Sequence, residues 1–181
     1  MRLTMRLTLL VLGTTLIFSP LASVAHAQEY PKLKAGQWEM TTNTPKAKDA
    51  ASARAKVCLD DSVQQQMVGI GTGMRREMCS KWDLKRDGAR YITESECKLG
   101  ESKLTSRAVL TMQGDTGYKT EIRAAYDPPF MGMKDSTTTI EGKYTGPCRD
   151  GLQPGDLVTA EGHKINIRSL ADRQPATPPK K

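Results

Sequence analysis

The chain has 181 residues, with 27 lysines and arginines against 20 aspartates and glutamates, and a formal net charge of +7. This length predicts one main domain, and a positive excess this mild, scattered over short runs such as Arg75-Arg76, indicates solubility rather than binding to a polyanion. Because basic residues are not interleaved with aromatic ones, the composition argues against nucleic acid as a partner.

Residues 1–27 have the pattern of a secretory signal peptide. Their only charges are two arginines near the start, a mainly apolar run follows over residues 9–22, and Ala25-His26-Ala27 supplies a small-x-small cleavage site. Pro20 interrupts the run, which is shorter than the ~20 apolar residues that a membrane-spanning helix needs. We therefore predict cleavage near Ala27, no membrane anchor, and a mature protein that is periplasmic or secreted.

A first β-strand and a long loop are predicted after the leader. In GQWEMTT, residues 36–42, the alternation places Trp38, Met40 and Thr42 on one face. Residues 43–56 are rich in alanine and lysine and poor in apolar side chains, which predicts a mobile loop.

A short helix is predicted next, in VCLDDSVQQQMVG. One of residues 60–62 can accept hydrogen bonds from the free N–H groups of the first turn, and Val63 and Met67 share a face. Gly69 predicts the end of the helix, so the following GIGTG is predicted to be a flexible loop. It resembles a phosphate-binding loop only superficially, because the Gly-Lys-Ser/Thr ending is absent.

Residues 79–146 alternate with period two between turn residues, which predicts a five-stranded antiparallel meander. On the polar face, a pairing of Glu121 with Lys143 and of Arg123 with Glu141 would match opposite charges. The predicted fold is mainly β, a meander sheet that forms a half-open barrel or a sandwich, with one short helix. The mostly apolar face is predicted to carry Leu84, Ile92, Leu104, Ala108, Leu110, Met112, Tyr118, Ile122, Ala124, Tyr126, Ile140 and Tyr144.

The four cysteines are predicted to form two disulfides, since an even set in an exported chain favours crosslinks over a metal cluster or a nucleophile. A three-residue hairpin loop over residues 87–89 would put Leu84 opposite Ile92, with Ile92 beside Ala108 in the next strand. The same register sets Cys79 opposite Cys97. The meander places the last cysteine about 25 Å away at the other end of the sheet, whereas a disulfide needs Cα atoms within ~7 Å. The predicted pairs are therefore Cys79–Cys97 and Cys58–Cys148.

Several motifs together resemble a known family. They are KAGQWEM, CLDDSV, CSKWDLKRDG, YITESEC, and IEGKYTGPC followed by QPGD. This set is similar to the domain-of-unknown-function family 3617 of exported bacterial proteins, over about residues 33–156. The resemblance implies export and the cysteine framework. It implies no activity, catalytic residue or cofactor, because none is established for that family.

The favoured function is a noncatalytic domain, over residues 28–170, that binds a protein partner or a small or lipid-like envelope molecule. The sheet, closed by the first strand, the helix and the late segment VTAEGHKINIRS, could enclose a cavity. A filled core without a cavity is the alternative. Residues 171–181, rich in proline and charge, are predicted to be a disordered tail.

Copper handling is the alternative function. Met131 and Met133, together with Met67, Met74 and Met78, offer thioethers suited to Cu(I). Methionines more often fill irregular gaps in cores, and the Met131-Gly132-Met133 motif lies beside Pro128-Pro129 in what is predicted to be a plain turn.

An enzyme is not predicted, because the chain outside the leader keeps one histidine, His163, and shows no nucleophile, phosphate or cofactor motif. No cofactor is predicted either.

The candidate ligand residues come from a break in the apolar face. The predicted register turns Glu94 and Glu96 inward, near Trp82 and Ser106. Unpaired buried carboxylates are costly, so either this end of the sheet is open to solvent or the two carboxylates line a pocket. In a pocket, at least one pKa would be raised, and a cationic or hydroxyl-bearing ligand would be favoured.

Overall fold

A computed structural model describes residues 30–45 and 53–171. The predicted leader, residues 46–52 and the tail after residue 171 lie outside the described residues. Of the described helices, neither is long and apolar enough to cross a bilayer. The elements are β1 (Gly36–Asn43), β2 (Ala53–Leu59), α1 (Asp61–Met78), β3 (Cys79–Asp87), β4 (Arg90–Leu99), β5 (Ser102–Gln113), β6 (Gly117–Phe130), β7 (Met133–Gly146), β8 (Asp156–Thr159), β9 (Lys164–Asn166) and α2 (Ile167–Ala171).

The strands form one open antiparallel sheet in the order β3-β4-β5-β6-β7-β1-β2-β8-β9. The predicted mainly β fold and the five-stranded meander from β3 to β7 are confirmed. β1 does not lie at an edge. It pairs with β7 on one side and with β2 on the other, so the N-terminal strand joins the meander to the second half of the sheet.

The loop predicted over residues 43–56 is wrong at its C-terminal end. Residues from Ala53 onward form β2, which pairs with β1 on one side and β8 on the other. Within β2, Arg54 and Lys56 alternate with Ala55 and Val57, so the period-two pattern is present although its apolar members are small. Hydrogen bonding to two neighbouring strands overrides the weak strand propensity of alanine, lysine and arginine.

The start of α1 confirms the predicted cap. Asp60 has an extended backbone, and its carboxylate accepts a hydrogen bond from the Val63 N–H at 2.7 Å. This backbone hydrogen bond is the main reason that the pKa of Asp60 lies below its ordinary value, with further lowering by Ser62 and Arg168. Val63 is fully buried, whereas Met67, predicted to share its face, is exposed.

The predicted end of the helix at Gly69 is wrong, because α1 spans 18 residues, Asp61–Met78, and includes the whole of GIGTG. Glycine lowers helix propensity but does not remove a backbone N–H, so tertiary contacts can keep the segment helical. Ile70 packs against the core, and the Arg75 guanidinium lies 5.5 Å from the centre of the Trp82 ring. The helix is therefore held by one contact within its glycine-containing stretch and by another just after it.

The register between β3 and β4 differs from the prediction by one residue. Asp87 pairs with Arg90, so the hairpin loop has two residues and not three, and Leu84 lies opposite Thr93. A register shift between Cys79 and Lys81 then adds the missing residue and restores Cys79 opposite Cys97. Both predicted disulfides are confirmed, but the first depends on this bulge.

The one-residue difference reverses the faces of β4. Tyr91 is opposite Leu110 and is buried on the apolar face. Ile92, predicted to lie beside Ala108 on that face, is instead opposite Val109 on the polar face. Because side chains alternate between the two faces of a strand, a shift of one residue moves every side chain of the strand to the opposite face of the sheet.

In the later strands the predicted faces are right, but the charge-matched pairs are wrong. Glu121 lies opposite Thr139 and Arg123 opposite Thr137, and Glu141 faces Lys119. The hairpin turns tightly after Phe130, and an irregularity after Ala125 sets the offset. A shift of four residues keeps the parity, which explains why apolar matching could not detect it.

The hydrophobic core joins β1 and β2 to the first turn of α1 and to α2. The ring of Trp38 is fully buried, with its centroid 5.8 Å from those of Tyr118 and Tyr144. Its Nε1–H donates to the Lys34 carbonyl at 2.8 Å. Gly142 allows Tyr118 to pack flat on the sheet, since a Cβ at this position would collide with the tyrosine ring. The buried cluster comprises Trp38, Val57, Leu59, Val63 and Ile167.

Candidate ligand-binding site

A cavity of about 700 Å³ lies on the polar face of the sheet, across β1, β2 and β8. We call it the Arg54 pocket. One row of its floor is formed by Glu39, Lys56 and Val158, which are direct cross-strand neighbours, and Lys164 continues the row on β9. The next row contains Thr41 and Arg54, and its other lining residues are Met40, Ala55, Asp150, Leu152, Thr159, Ala160 and Gly162.

The loop of residues 147–155 forms a wall over this floor. Its first half is anchored by the Cys58–Cys148 disulfide and by the Arg149 N–H, which donates to the buried Gln37 side chain at 3.2 Å. Its far end returns to the same strand, where the Gly155 N–H donates to the Cys58 carbonyl at 2.8 Å. Because both ends of the loop are fixed at Cys58, the wall has a defined position.

A buried carboxylate fastens the loop to the last hairpin. Asp156 is 4% exposed and accepts hydrogen bonds from the Gln153 N–H and the Asn166 side-chain amide, both at 2.8 Å. Lys164 lies 2.7 Å from the same carboxylate. The hydrogen bond from Gln153, followed by that from Lys164, lowers the pKa of Asp156 to about 2. The group is therefore ionised at neutral pH and holds Lys164 at the edge of the pocket.

The charges around the pocket are unevenly compensated. Lys164 forms an ion pair with Asp156. The ammonium group of Lys56 lies 3.8 Å from the carboxylate of Glu39. Among residues 30–45 and 53–171, no carboxylate forms an ion pair with Arg54. Among the described residues, the pocket thus combines a guanidinium that has no ion-pair partner with two further cations and several apolar side chains.

This composition suits recognition of a small molecule. Ligand pockets of about 300–1,000 Å³ are typically lined by apolar groups with a few placed polar groups. Leu152 and Val158 are both half-buried at the Arg54 pocket. Within the described residues, no group of three or more histidine, cysteine, aspartate or glutamate side chains is arranged to hold a metal ion.

The four ligand candidates from the sequence are divided between the two faces of the sheet. Trp82 and Ser106 lie on the apolar face, both in line with Ser95, whereas Glu94 lies opposite Arg107 on the polar face. The predicted inward orientation of Glu94 and Glu96 is therefore wrong, because the register of β4 is shifted by one residue.

Both carboxylates are partly exposed and ion-paired. Glu94 bonds to Arg107, and Glu96 lies 2.7 Å from Lys103. The hydrogen bond and charge of Lys103 hold the pKa of Glu96 below its ordinary value, opposite to the raised pKa expected in a closed pocket. Both carboxylates, together with Ser106, also line a shallow groove of about 390 Å³.

On the apolar face, the side chains of Trp82 and Ser106 are in contact with other residues of the fold. The Ser106 hydroxyl lies 2.8 Å from that of Ser95. The Nε1–H of Trp82 is buried and has no hydrogen-bond partner among the described residues. Its ring is covered by Arg75 from α1.

The methionines of the copper alternative lie on different elements. Met131 is 80% exposed at the turn between β6 and β7, and Met133 is the first residue of β7. Met67 and Met74 are exposed on α1. Nothing in this arrangement supports a copper site. His163 is exposed in the turn before β9.

The residues of the Arg54 pocket were not singled out by sequence reasoning, because they come from β1, β2, the 147–155 loop and the β8–β9 hairpin. One usable signal was present. The predicted Cys58–Cys148 bond already brings the segment after Cys148 beside β2, where Arg54 and Lys56 alternate with Ala55.

Comparison with known proteins gives one match. A family model described as "Protein of unknown function (DUF3617)" matches residues 33–148. No curated protein and no solved structure matches the chain. The matched segment contains the floor strands β1 and β2 and ends at Cys148, before most of the wall loop and the β8–β9 hairpin.

Proposed function

Since the chain belongs to the DUF3617 family, for which no function is known, we propose a role from the geometry: an exported, noncatalytic domain that binds a small envelope molecule in the Arg54 pocket. The observation that carries this proposal is the cavity of about 700 Å³ whose wall is fixed to its floor by a disulfide. A crosslinked wall keeps the cavity formed before a ligand arrives, which lowers the entropic cost of binding.

Export is supported by two independent features. The first 27 residues have the sequence pattern of a secretory leader. All four cysteines lie in disulfides, and such bonds persist in oxidising compartments and are rare in the cytosol.

The lining of the Arg54 pocket supports binding rather than catalysis. Among the described residues that line it, none is a serine, cysteine or histidine, which are the commonest nucleophiles and general bases. Of its two acidic residues, Glu39 is near Lys56, and Asp150 is exposed. The lining therefore offers recognition groups without an evident proton-transfer pair.

Native mass spectrometry of protein purified from its own periplasm tests the proposal. Ala160→Trp places a large side chain in the pocket at an exposed position, and Ala125→Trp is a matched control at an exposed position elsewhere on the polar face. We expect a small-molecule adduct on the parent and on the control, and its loss from Ala160→Trp. A bare parent, or an adduct that Ala160→Trp retains, would contradict the proposal. A copurifying protein subunit would indicate an interaction role instead.

A further inference from the structure

We propose that the ligand of the Arg54 pocket is an anionic amphiphile, an apolar chain or ring that carries a carboxylate or a phosphate. Its anionic group binds at Arg54, and its apolar part lies between Leu152 and Val158. This inference rests on the proposed function and adds the chemical class of the ligand.

The register of β1 and β2 gives the pocket a closed end and an open end. Three successive rows on the polar face are marked by Cys58, Lys56 and Arg54. The wall loop leaves from and returns to the Cys58 row, so that end is closed. Arg54 lies four residues along the strand, about 13 Å away at ~3.3 Å per residue. The Arg54 row is therefore at the end of the pocket away from the wall loop, which we call the open end.

The charges at the open end favour an anion. Arg54 and Lys56 project from the same face of β2 at i and i+2, about 7 Å apart along the strand. Of these two cations, only Lys56 has a carboxylate within 4 Å among the described residues, and Glu39 is 3.8 Å from it, too far for a hydrogen bond. A planar guanidinium binds carboxylate or phosphate oxygens in a bidentate manner. Thr41, directly opposite Arg54, can donate its hydroxyl to the same anion.

The side chains nearer the closed end favour an apolar group. Leu152 from the wall and Val158 from the floor are half-buried, and both line the pocket. The small side chain of Ala160 leaves space next to the Arg54 row. An inorganic anion would contact only the cations and leave these apolar surfaces in water, whereas an amphiphile covers both.

The acidic lining residues do not reverse this preference. Among the described residues, three cationic side chains and two carboxylates line the pocket. Glu39 is partly compensated by Lys56, and Asp150 lies in the wall loop, exposed to solvent. A cationic amphiphile would meet the guanidinium of Arg54, which has no ion-pair partner among the described residues, and like charges repel.

Displacement of the neutral fluorescent probe N-phenyl-1-naphthylamine from the full mature protein measures the preference of the pocket for anionic over neutral and cationic ligands. The competitors share a ten-carbon chain: decanoate, decyl phosphate, 1-decanol and decyltrimethylammonium, each below its micellar concentration. Acetate and inorganic phosphate report on the anion alone. We expect the two anionic decyl compounds to bind at least about tenfold more tightly than the neutral and cationic ones, and acetate and phosphate to displace nothing.

Substitutions assign that preference to Arg54. Arg54→Gln is expected to weaken the binding of decanoate and decyl phosphate about tenfold and to leave the affinity for 1-decanol unchanged. Arg54→Lys should restore part of the lost affinity for the two anions. Arg123→Gln, at an exposed position on the same face of the sheet, is the matched control and is expected to change nothing. Circular dichroism melting verifies that each variant is folded.

The outcomes separate the two proposals. If 1-decanol or the cationic compound binds as tightly as the anions, or if Arg54→Gln keeps the preference, the anionic class is wrong although the pocket still binds ligand. If inorganic phosphate binds as well as decyl phosphate, the apolar part is wrong. If the parent binds neither the probe nor any decyl compound, and carries no adduct from the periplasm, the proposed binding function itself fails.

Discussion

The ammonium group of Lys164 lies 2.7 Å from the carboxylate of Asp156, and this pair joins the last two strands to the wall of the Arg54 pocket. The carboxylate is buried and also accepts hydrogen bonds from Gln153 and Asn166. Since a charge-assisted hydrogen bond contributes more than a neutral one, Asp156 is expected to be a main determinant of stability in this part of the sheet.

Asp156→Asn is expected to lower the free energy of unfolding by about 1–3 kcal/mol at pH 7, because it leaves buried donors poorly satisfied. The pKa of Asp156 falls from 3.8 to about 2 on folding. Its ionised form thus contributes stability that is complete above about pH 4 and is lost as the pH falls to about 2. The difference between parent and variant should shrink over that range in urea titrations. The exposed Asp115→Asn is the control, and an equal difference at pH 7 and pH 2 would contradict the assignment.

The two disulfides are expected to differ in what they stabilise. If crosslinks act by restricting the unfolded chain, Cys58–Cys148, with a sequence separation of 90, contributes about 4–5 kcal/mol, and Cys79–Cys97, with a separation of 18, about 3 kcal/mol. Paired Cys→Ser substitutions compared by urea unfolding test the order. Only the Cys58/Cys148 double variant should also lose probe binding, because it releases the wall loop. Equal probe binding in both double variants would show that probe binding does not depend on the crosslinked wall loop.

Glycine-to-alanine changes in α1 are expected to stabilise the protein. Nothing lies within 4 Å of a Cβ built at Gly69, Gly71 or Gly73. Alanine is favoured over glycine in a helix interior by about 0.5–1 kcal/mol, so Gly71→Ala should raise the free energy of unfolding by that amount. Urea unfolding gives the measurement. A loss of stability would show that the helix needs these glycines for a reason other than packing.

Gly142→Ala provides the opposite case on β7. A Cβ at Gly142 would overlap the ring of Tyr118, which packs beside Trp38. Because the ring cannot move without disturbing the core, we expect a loss of about 1–3 kcal/mol. Near-ultraviolet circular dichroism should show altered aromatic packing, and an unchanged spectrum and midpoint would contradict the predicted overlap.

The ion pair of Glu96 can be tested by titration. Lys103 is the main cause of the lowered pKa of Glu96. Lys103→Met should therefore raise that pKa towards its ordinary value in an NMR titration of the side-chain carboxyl carbon, with no change in the melting temperature, since exposed pairs contribute little to stability. Lys85→Met, which leaves Lys103 in place, is the control. An unchanged pKa in Lys103→Met would contradict the assignment.

The sequence predicted the meander because alternation and turn residues are local properties. The faces of β5, β6 and β7 were correct, since apolar parity survives even a four-residue error, as between Glu121 and Lys143. The β3–β4 register was not predictable in the same way. A two-residue hairpin loop with a bulge at Ser80 and a three-residue loop without one both place Cys79 opposite Cys97. The disulfide was thus predicted correctly from an incorrect register.

Elements that depend on distant contacts were the ones missed. The stretch of α1 from Gly69 to Gly73 contains three glycines, and we attribute its helical form to the contacts that Ile70 and Arg75 make elsewhere in the fold. The start of β2 has no large apolar residue and becomes a strand by pairing with β1 and β8. The Arg54 pocket combines residues more than one hundred positions apart, such as Thr41 and Val158, so no local pattern marks it.

The central place of β1 has a consequence for how the chain reaches this fold. Gln37 pairs with Gly146, 109 residues later, so the edge of β1 that faces β7 has no partner until most of the domain has been synthesised. The early β1–β2 hairpin exposes one unpaired edge to β7 and another to β8, and unpaired edges are templates for aggregation. Long-range pairing is also slow. A newly made chain therefore carries two edges open to pairing with neighbouring chains until its last strands are synthesised.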